Sequence, residues 1–251
     1  MLCQFSRPRG ELRSRRVHPD GTGYEHGLYS VPDLPSDQVQ YIETVFLKRL
    51  DDRASKALDA MLHDPSAVHQ LPIKAKVAWA SFLYTLLIRT PEILATMQTR
   101  VDEERARMAA EPGREVNLHP NVRLRSQELI PQLAASRLVV RGLIEMKWTA
   151  RSVKSADYSM LTSDRPYIMT NGIAHAEGHI AIPLSPAVVF FATRSGQTFE
   201  EIDSMTPDQL VTGINSKVSE QAVRFVYGVD NRQARFVSNR FGKRIQSSPL
   251  G

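Results

Sequence analysis

HIAIPLSPAVVFFATR, residues 179–194, reads as two extended segments joined by a turn. Both "HIAIPL" and "AVVFFATR" are dense in apolar, β-branched or aromatic residues, which suit a pleated, half-buried surface. Pro183 and Pro186 stand at the two ends of a short turn between them. The alternative is an edge device, because a proline on a sheet edge removes no ladder hydrogen bond. Strand-like character extends upstream to "IEMKWTA" at 144–150 and "DYSMLTS" at 157–163.

Before Glu145 the hydrophobic period is helical. Ser36-Asp37 offers an N-cap, and Val39, Ile42, Phe46, Leu50, Ala54, Ala57, Leu58 and Met61 recur at helical spacing until "HDP" at 63–65. Pro72 opens a second helix, from about 71 to 110. Its first half is apolar nearly all round, which predicts a central, buried helix. Its second half, "TRVDEERARMAAE", is a charged face with i,i+4 pairs. "EPGREVNLHPN" at 111–121 is a loop, and a third helix covers 122–143, kinked or split by Pro131. Downstream, "MTPDQLVTGINSKVSEQAVRFV" is amphipathic: Thr206 caps, Pro207 opens, and Leu210, Ile214, Val218, Ala222 and Phe225 line one face. A last short helix follows from Asp230.

This order predicts an α+β fold. The N-terminal two-thirds is predominantly helical, with three long helices; a small, mainly antiparallel sheet and C-terminal helices follow. Residues 1–35 hold four of the 13 glycines and four of the 15 prolines, so they read as an irregular basic arm with a short strand near Leu28–Val31. A single α+β domain then occupies 36–251, its helical layer at 36–143 and its sheet-containing part at 144–251.

Composition excludes several classes. With 42% hydrophobic and 24% charged residues the chain is globular. The longest apolar run, "WASFLYTLLI" at 79–88, is about half of a membrane span. No apolar stretch of signal-peptide length opens the sequence, so a cytoplasmic location is expected and no membrane partner. One cysteine, Cys3, allows neither an internal disulfide nor a thiolate zinc cluster. No phosphate-binding glycine loop, HExxH or GxSxG is present, and no cofactor is indicated.

The net charge of +5 is unevenly spread. Arg7, Arg9, Arg13, Arg15 and Arg16 face one acid, Glu11, and Arg232, Arg235, Arg240, Lys243 and Arg244 face none within 232–244. Two basic ends suit the phosphates of a nucleic acid; the plainer reading is solvated termini.

Three polar stretches are candidates for chemistry. In "TSDRP" at 162–166, Pro166 keeps Arg165 out of the helical region, and Ser163 and Asp164 can each accept a backbone N–H in a turn. The functional reading places Asp164 at a strand end, aimed into a cleft, to bind a metal or orient an arginine. In "IRTPEI" at 88–93, Arg89 stands where Pro91 interrupts a helical pattern, as a fold-locking ion pair or as an anion-binding arginine. Its candidate partners are Asp164, Glu43 and Asp51. In "HAEGH", His175, Glu177 and His179 share one face of an extended chain and are of the right type for zinc or manganese, although Gly172 and Gly178 mark a solvated hairpin turn. Asn215, one position from the apolar stripe, is most simply a local hydrogen-bond partner for a neighbouring loop.

Taken in order, "YIETVFLKRLDDRASKAL", "WASFLYTLLIRTPEI", "MLTSDRPYI", "IPLSP" and "IN" before "AVRFVYG" resemble the uncharacterised bacterial family known as domain of unknown function 4238 (DUF4238), over roughly residues 24–229. The resemblance implies that Glu43, Arg89, Asp164, Pro183, Ser185, Pro186 and Asn215 occupy the family's recurrent polar and turn positions. It supplies no activity. It also implies a truncated or late-started N-terminus, because the family's opening His-x-Val-Pro segment is missing and His18 and His26 do not sit in that pattern.

Three functions follow as expectations. The first is a metal-assisted hydrolase or nuclease with Asp164, Arg89 and Glu43 as its catalytic polar centre, the metal unspecified. The second is a non-catalytic nucleic-acid- or protein-binding module, for which Arg7–Arg16 and Arg232–Arg244 should merge into one patch. The third is an interaction role using the charged helix at 99–111.

Overall fold

A computed structural model of the chain describes residues 1–22, 48–88 and 136–243, and positions 90, 93, 96, 99, 100, 102, 103, 106 and 107. In chain order the first elements are β1 (Leu2–Ser6), β2 (Arg13–Val17), α1 (Lys48–His63), α2 (Ile73–Ile88) and α3 (Arg137–Ile144). Then come β3 (Lys147–Ser152), β4 (Thr162–Ser163), β5 (Ile168–Thr170), β6 (His179–Ser185) and β7 (Val188–Thr193). The chain continues through α4 (Gly196–Ser204), α5 (Pro207–Gln221), β8 (Val226–Gly228) and α6 (Ala234–Ser238). The fold is α+β, and the described residues form two four-stranded antiparallel sheets where the sequence predicted one: β3-β7-β6-β5 and β2-β1-β8-β4.

The β6–β7 hairpin is the centre of the structure. Every residue of β7 is buried because both faces of its sheet are covered. Val188, Phe190 and Ala192 enter one core with Trp79 and Leu83 of α2 and Trp148 of β3. Val189 and Phe191 enter the other core, with Phe5 of β1, Leu161 and Val218 of α5. Phe190 receives two indoles edge-on, Trp79 at 5.6 Å and Trp148 at 5.4 Å between ring centres. Pro183 lies inside β6, at a register shift, beyond the last residue that β5 pairs, so its missing N–H faces no partner there. The turn itself is Pro186-Ala187, closed by the Ala187 N–H donating to Ser185 Oγ at 3.2 Å.

The helical expectations hold in part. α1 ends at His63, where Asp64 and Pro65 start a short 3-10 turn over Pro65–Gln70. The Pro72 carbonyl accepts the first bonds of α2, from Ala75 and Lys76. α2 is one-sided at its start rather than buried all round: Ile73 and Val77 are exposed. α5 carries the predicted cap, a reciprocal Thr206–Gln209 pair with Pro207 behind it. It stops at Gln221, because Ala222 turns extended, and Val226 belongs to β8. Helix α4, capped by Ser195, was not anticipated. The expected helical stretches at 36–47 and 122–135, the loop at 111–121, Pro131 and the strand near Leu28–Val31 lie outside the described residues. Among the described residues no helix is long and apolar enough to cross a membrane.

The irregular-arm reading fails for residues 2–17. β1 is an inner strand, paired on one side to β2 and on the other to β8, and Cys3 and Phe5 point into the second core. "LCQFS" alternates as a strand should, but it is short and hemmed in by Pro8 and Gly10. Its burial depends on a partner more than 200 residues away in sequence.

Candidate functional site

The stretch 159–167 is stitched to α5 and its continuation by side chains. Asn215, fully buried on α5, accepts the Leu161 N–H at 2.8 Å and donates to the Ser159 carbonyl at 3.0 Å and to Gln233 Oε1 at 2.9 Å. Gln233 donates to the same Ser159 carbonyl at 2.9 Å. Gln221, the last residue of α5, donates to the carbonyls of Tyr167, at 3.1 Å, and Arg165. These bonds replace a ladder: of "DYSMLTS" only Thr162 and Ser163 are strand, and the rest is held from outside. A buried amide survives because its donors and acceptor are all matched.

Asp164 completes this clasp. Its Oδ1 accepts the Val223 N–H at 3.1 Å, its Oδ2 accepts the Arg224 N–H at 2.7 Å, and its own N–H donates to the Phe225 carbonyl at 3.1 Å. Burial pushes its carboxyl above the usual carboxylate range; the backbone donors of Arg224, Val223 and Phe225, and the Arg165 charge, pull the other way without cancelling it. Ser163 Oγ accepts the Arg165 N–H at 3.1 Å, the local turn bond that the sequence predicted. Glu43 and Arg89, the expected companions of Asp164, lie outside the described residues.

The "HAEGH" stretch forms the β5–β6 turn. His175 Nδ1 accepts the Glu177 N–H at 3.0 Å, and the Gly178 N–H donates to the His175 carbonyl at 2.9 Å. Among the described residues no three His, Cys, Asp or Glu side chains are grouped to hold a cation.

The two basic ends do meet. Because β1 lies between β2 and β8, the N-terminal arginines run alongside the C-terminal segment. Arg16 donates to the Val229 carbonyl at 2.8 Å. Arg7 donates to the carbonyls of Phe241, at 3.2 Å, and Ser238, and stacks over the Phe241 ring at 5.6 Å. On the edge strand β2, Arg13, Arg15 and Arg16 are all exposed, as are Arg9, Arg232, Arg235 and Lys243. Arg15 is braced by Gln4 at 2.6 Å, and Arg232 pairs with Asp230 at 2.8 Å. A cavity of about 300 Å³ opens between Arg15, Arg16 and Ser14 of β2 and Asp230-Asn231. Arg244 lies outside the described residues.

Sequence reasoning missed Gln221 and Gln233. Gln221 carried a signal, since it continues the stripe of Leu210, Ile214 and Val218 as a polar residue in an apolar row. Gln233 carried none.

No curated protein and no solved structure matches the chain. The family model described as "Protein of unknown function (DUF4238)" matches residues 2–232, and the chain belongs to that family.

Proposed function

We propose that the protein is a binding module for a nucleic acid, holding backbone phosphates along the basic edge of the β2-β1-β8-β4 sheet. The observation that carries this reading is the joining of the two basic ends, through Arg16 on Val229 and Arg7 on Ser238 and Phe241. Arg7 and Arg16 are anchored on backbone carbonyls, with the Asp230 carboxylate near the Arg16 charge. Arg9 and Arg13 extend the row with exposed guanidinium groups. Guanidinium groups suit bidentate contact with phosphate. The hydrolase reading, with Asp164, Glu43 and Arg89 at its centre, has less support, because both carboxylate oxygens of Asp164 already accept backbone N–H groups.

The test is fluorescence anisotropy with short single- and double-stranded DNA and RNA over a salt series. Log affinity should fall linearly with log salt, by about 0.9 per neutralised phosphate on duplex DNA. Replacing Arg13, Arg15 and Arg16 by Gln should reduce that slope by about one for each phosphate that the variant no longer holds. Affinity that ignores salt, or survives the triple variant unchanged, rules the reading out.

A further inference from the structure

A second site, with no residue on the β2-β1-β8-β4 sheet, lies at the β3 edge of the other sheet. There the 3-10 turn over Pro65–Gln70, α2, the end of α3, the start of β3 and α4 enclose a concavity of about 270 Å³. Its charged groups are Lys76 and Lys147, beside the His69 imidazole, and its apolar walls include Ile144, Trp148 and Phe199. Lys76 Nζ stands 5.9 Å from the centre of the Trp148 ring, and Lys147 Nζ 5.7 Å from that of Phe199. An aromatic face positions an ammonium without neutralising it.

Neither lysine has a carboxylate partner among the described residues. Glu145, one residue beyond α3, is taken up by Arg141 at 2.7 Å and Arg194 at 4.0 Å. Gly196 opens α4 so close to Lys147 that a Cβ there would lie 3.4 Å from Nζ, while the Glu177 carboxylate accepts from Thr198 Oγ1 at 3.4 Å in the first turn of α4. Two ammonium groups thus face one concavity, with no counter-charge among the described residues that line it. The aromatic wall is preformed: the Trp148 N–H donates to the Leu143 carbonyl at 2.8 Å and the ring packs edge-on against Phe190.

We infer that this concavity binds a small organic anion, a phosphate or carboxylate head held between Lys76 and Lys147 with a flat apolar body against Trp148. Its volume is just below the usual range for ligand pockets, which sets the occupant at about the size of one ring with its anionic group.

The experiment is a titration of the full chain followed by ¹H–¹⁵N NMR, with phenyl phosphate, benzoate, inorganic phosphate and neutral benzyl alcohol as probes. The chain has two tryptophans, and Trp148 lines the concavity while Trp79 is buried against α2's neighbours, so the two indole signals serve as probe and control. Saturable movement of the Trp148 indole and of the amides at 146–148 and 196–199, with phenyl phosphate or benzoate and not with benzyl alcohol, supports the site. The stronger of the two ring-bearing probes identifies the head group; inorganic phosphate binding as tightly as phenyl phosphate removes the aromatic part of the proposal. In a K76Q/K147Q variant affinity should fall by at least about tenfold, and in K76R/K147R it should return. No saturation by about 10 mM of any anion, or equal binding by the Gln variant, overturns the inference. The Arg13, Arg15 and Arg16 variants should leave this titration unchanged, so failure here is separate from failure of the nucleic-acid reading.

Discussion

Asn215 on α5 and Gln233 just before α6 donate to one carbonyl, that of Ser159, while the Asn215 amide also donates to Gln233 Oε1 at 2.9 Å. The three segments meet at a buried polar knot, and the chain from 159 to 161 takes its path from it.

Asn215→Ala removes one acceptor and two donors from that knot and leaves the Leu161 N–H without its partner. The cost should be about 2–4 kcal/mol, read as a shift in the urea midpoint at constant slope. Gln233→Ala should couple to it by more than about 0.5 kcal/mol in a double-mutant cycle. Simple additivity would show that the two amides act separately.

Asp164 gives a pH signature. Its folded carboxyl titrates above the ordinary range because burial outweighs its backbone donors. Between the unfolded and the folded values the native state therefore holds more protons than the unfolded chain. The contribution of this group is fully present below the unfolded value and is lost as pH rises through the folded one. The stability difference between the protein and Asp164→Ala should shrink as pH rises across that window. A difference that grows with pH would mean that the clasp depends on a depressed, fully ionised carboxylate.

Gly178→Ala should be severe. A Cβ at 178 would sit 2.2 Å from the Gly172 carbonyl oxygen and 2.9 Å from that of His175, and both are backbone atoms of the same turn. The turn must open, and the loss should be at least about 2 kcal/mol in chemical denaturation. An unchanged midpoint would mean that the β5–β6 turn rearranges freely.

Phe5→Ala tests the placement of the first strand. Phe5 is 0% exposed, so truncation should cost about 3–5 kcal/mol. Leu138→Ala, at a site 83% exposed, should cost under about 0.5 kcal/mol and serves as the control. A mild Phe5→Ala would return the segment to the role of a loose arm.

Where a signal was local, the sequence carried it. The β6 and β7 strands, the stop of α1 at His63, the Pro72 opening of α2 and the Thr206 cap all depend on neighbours within a turn or two. The α+β class followed from the same kind of pattern, whereas Asn215, expected to bond locally, bonds to residues 18 to 56 positions away. Ser163 was legible for the same reason, since its partner is the N–H two residues on.

Other features were set at long range. "LCQFS" has too few residues to announce a strand, and its pairing with Val226–Gly228 joins the two ends of the chain. That pairing turned an expected arm into an inner strand and brought the two clusters of basic residues together. Asp164 looked like a residue that accepts an N–H within its own turn, but the amides that it accepts lie 59 and 60 residues away. The concavity at Lys76 and Lys147 draws its lysines and rings from α2, β3 and α4, with no shared motif. Periodicity and capping report backbone bonds closed within a few residues, and these the sequence by itself determined. Strand pairing, buried side-chain bonds and the meeting of like charges depend on which distant segments the cores press together, and only the tertiary structure decided them.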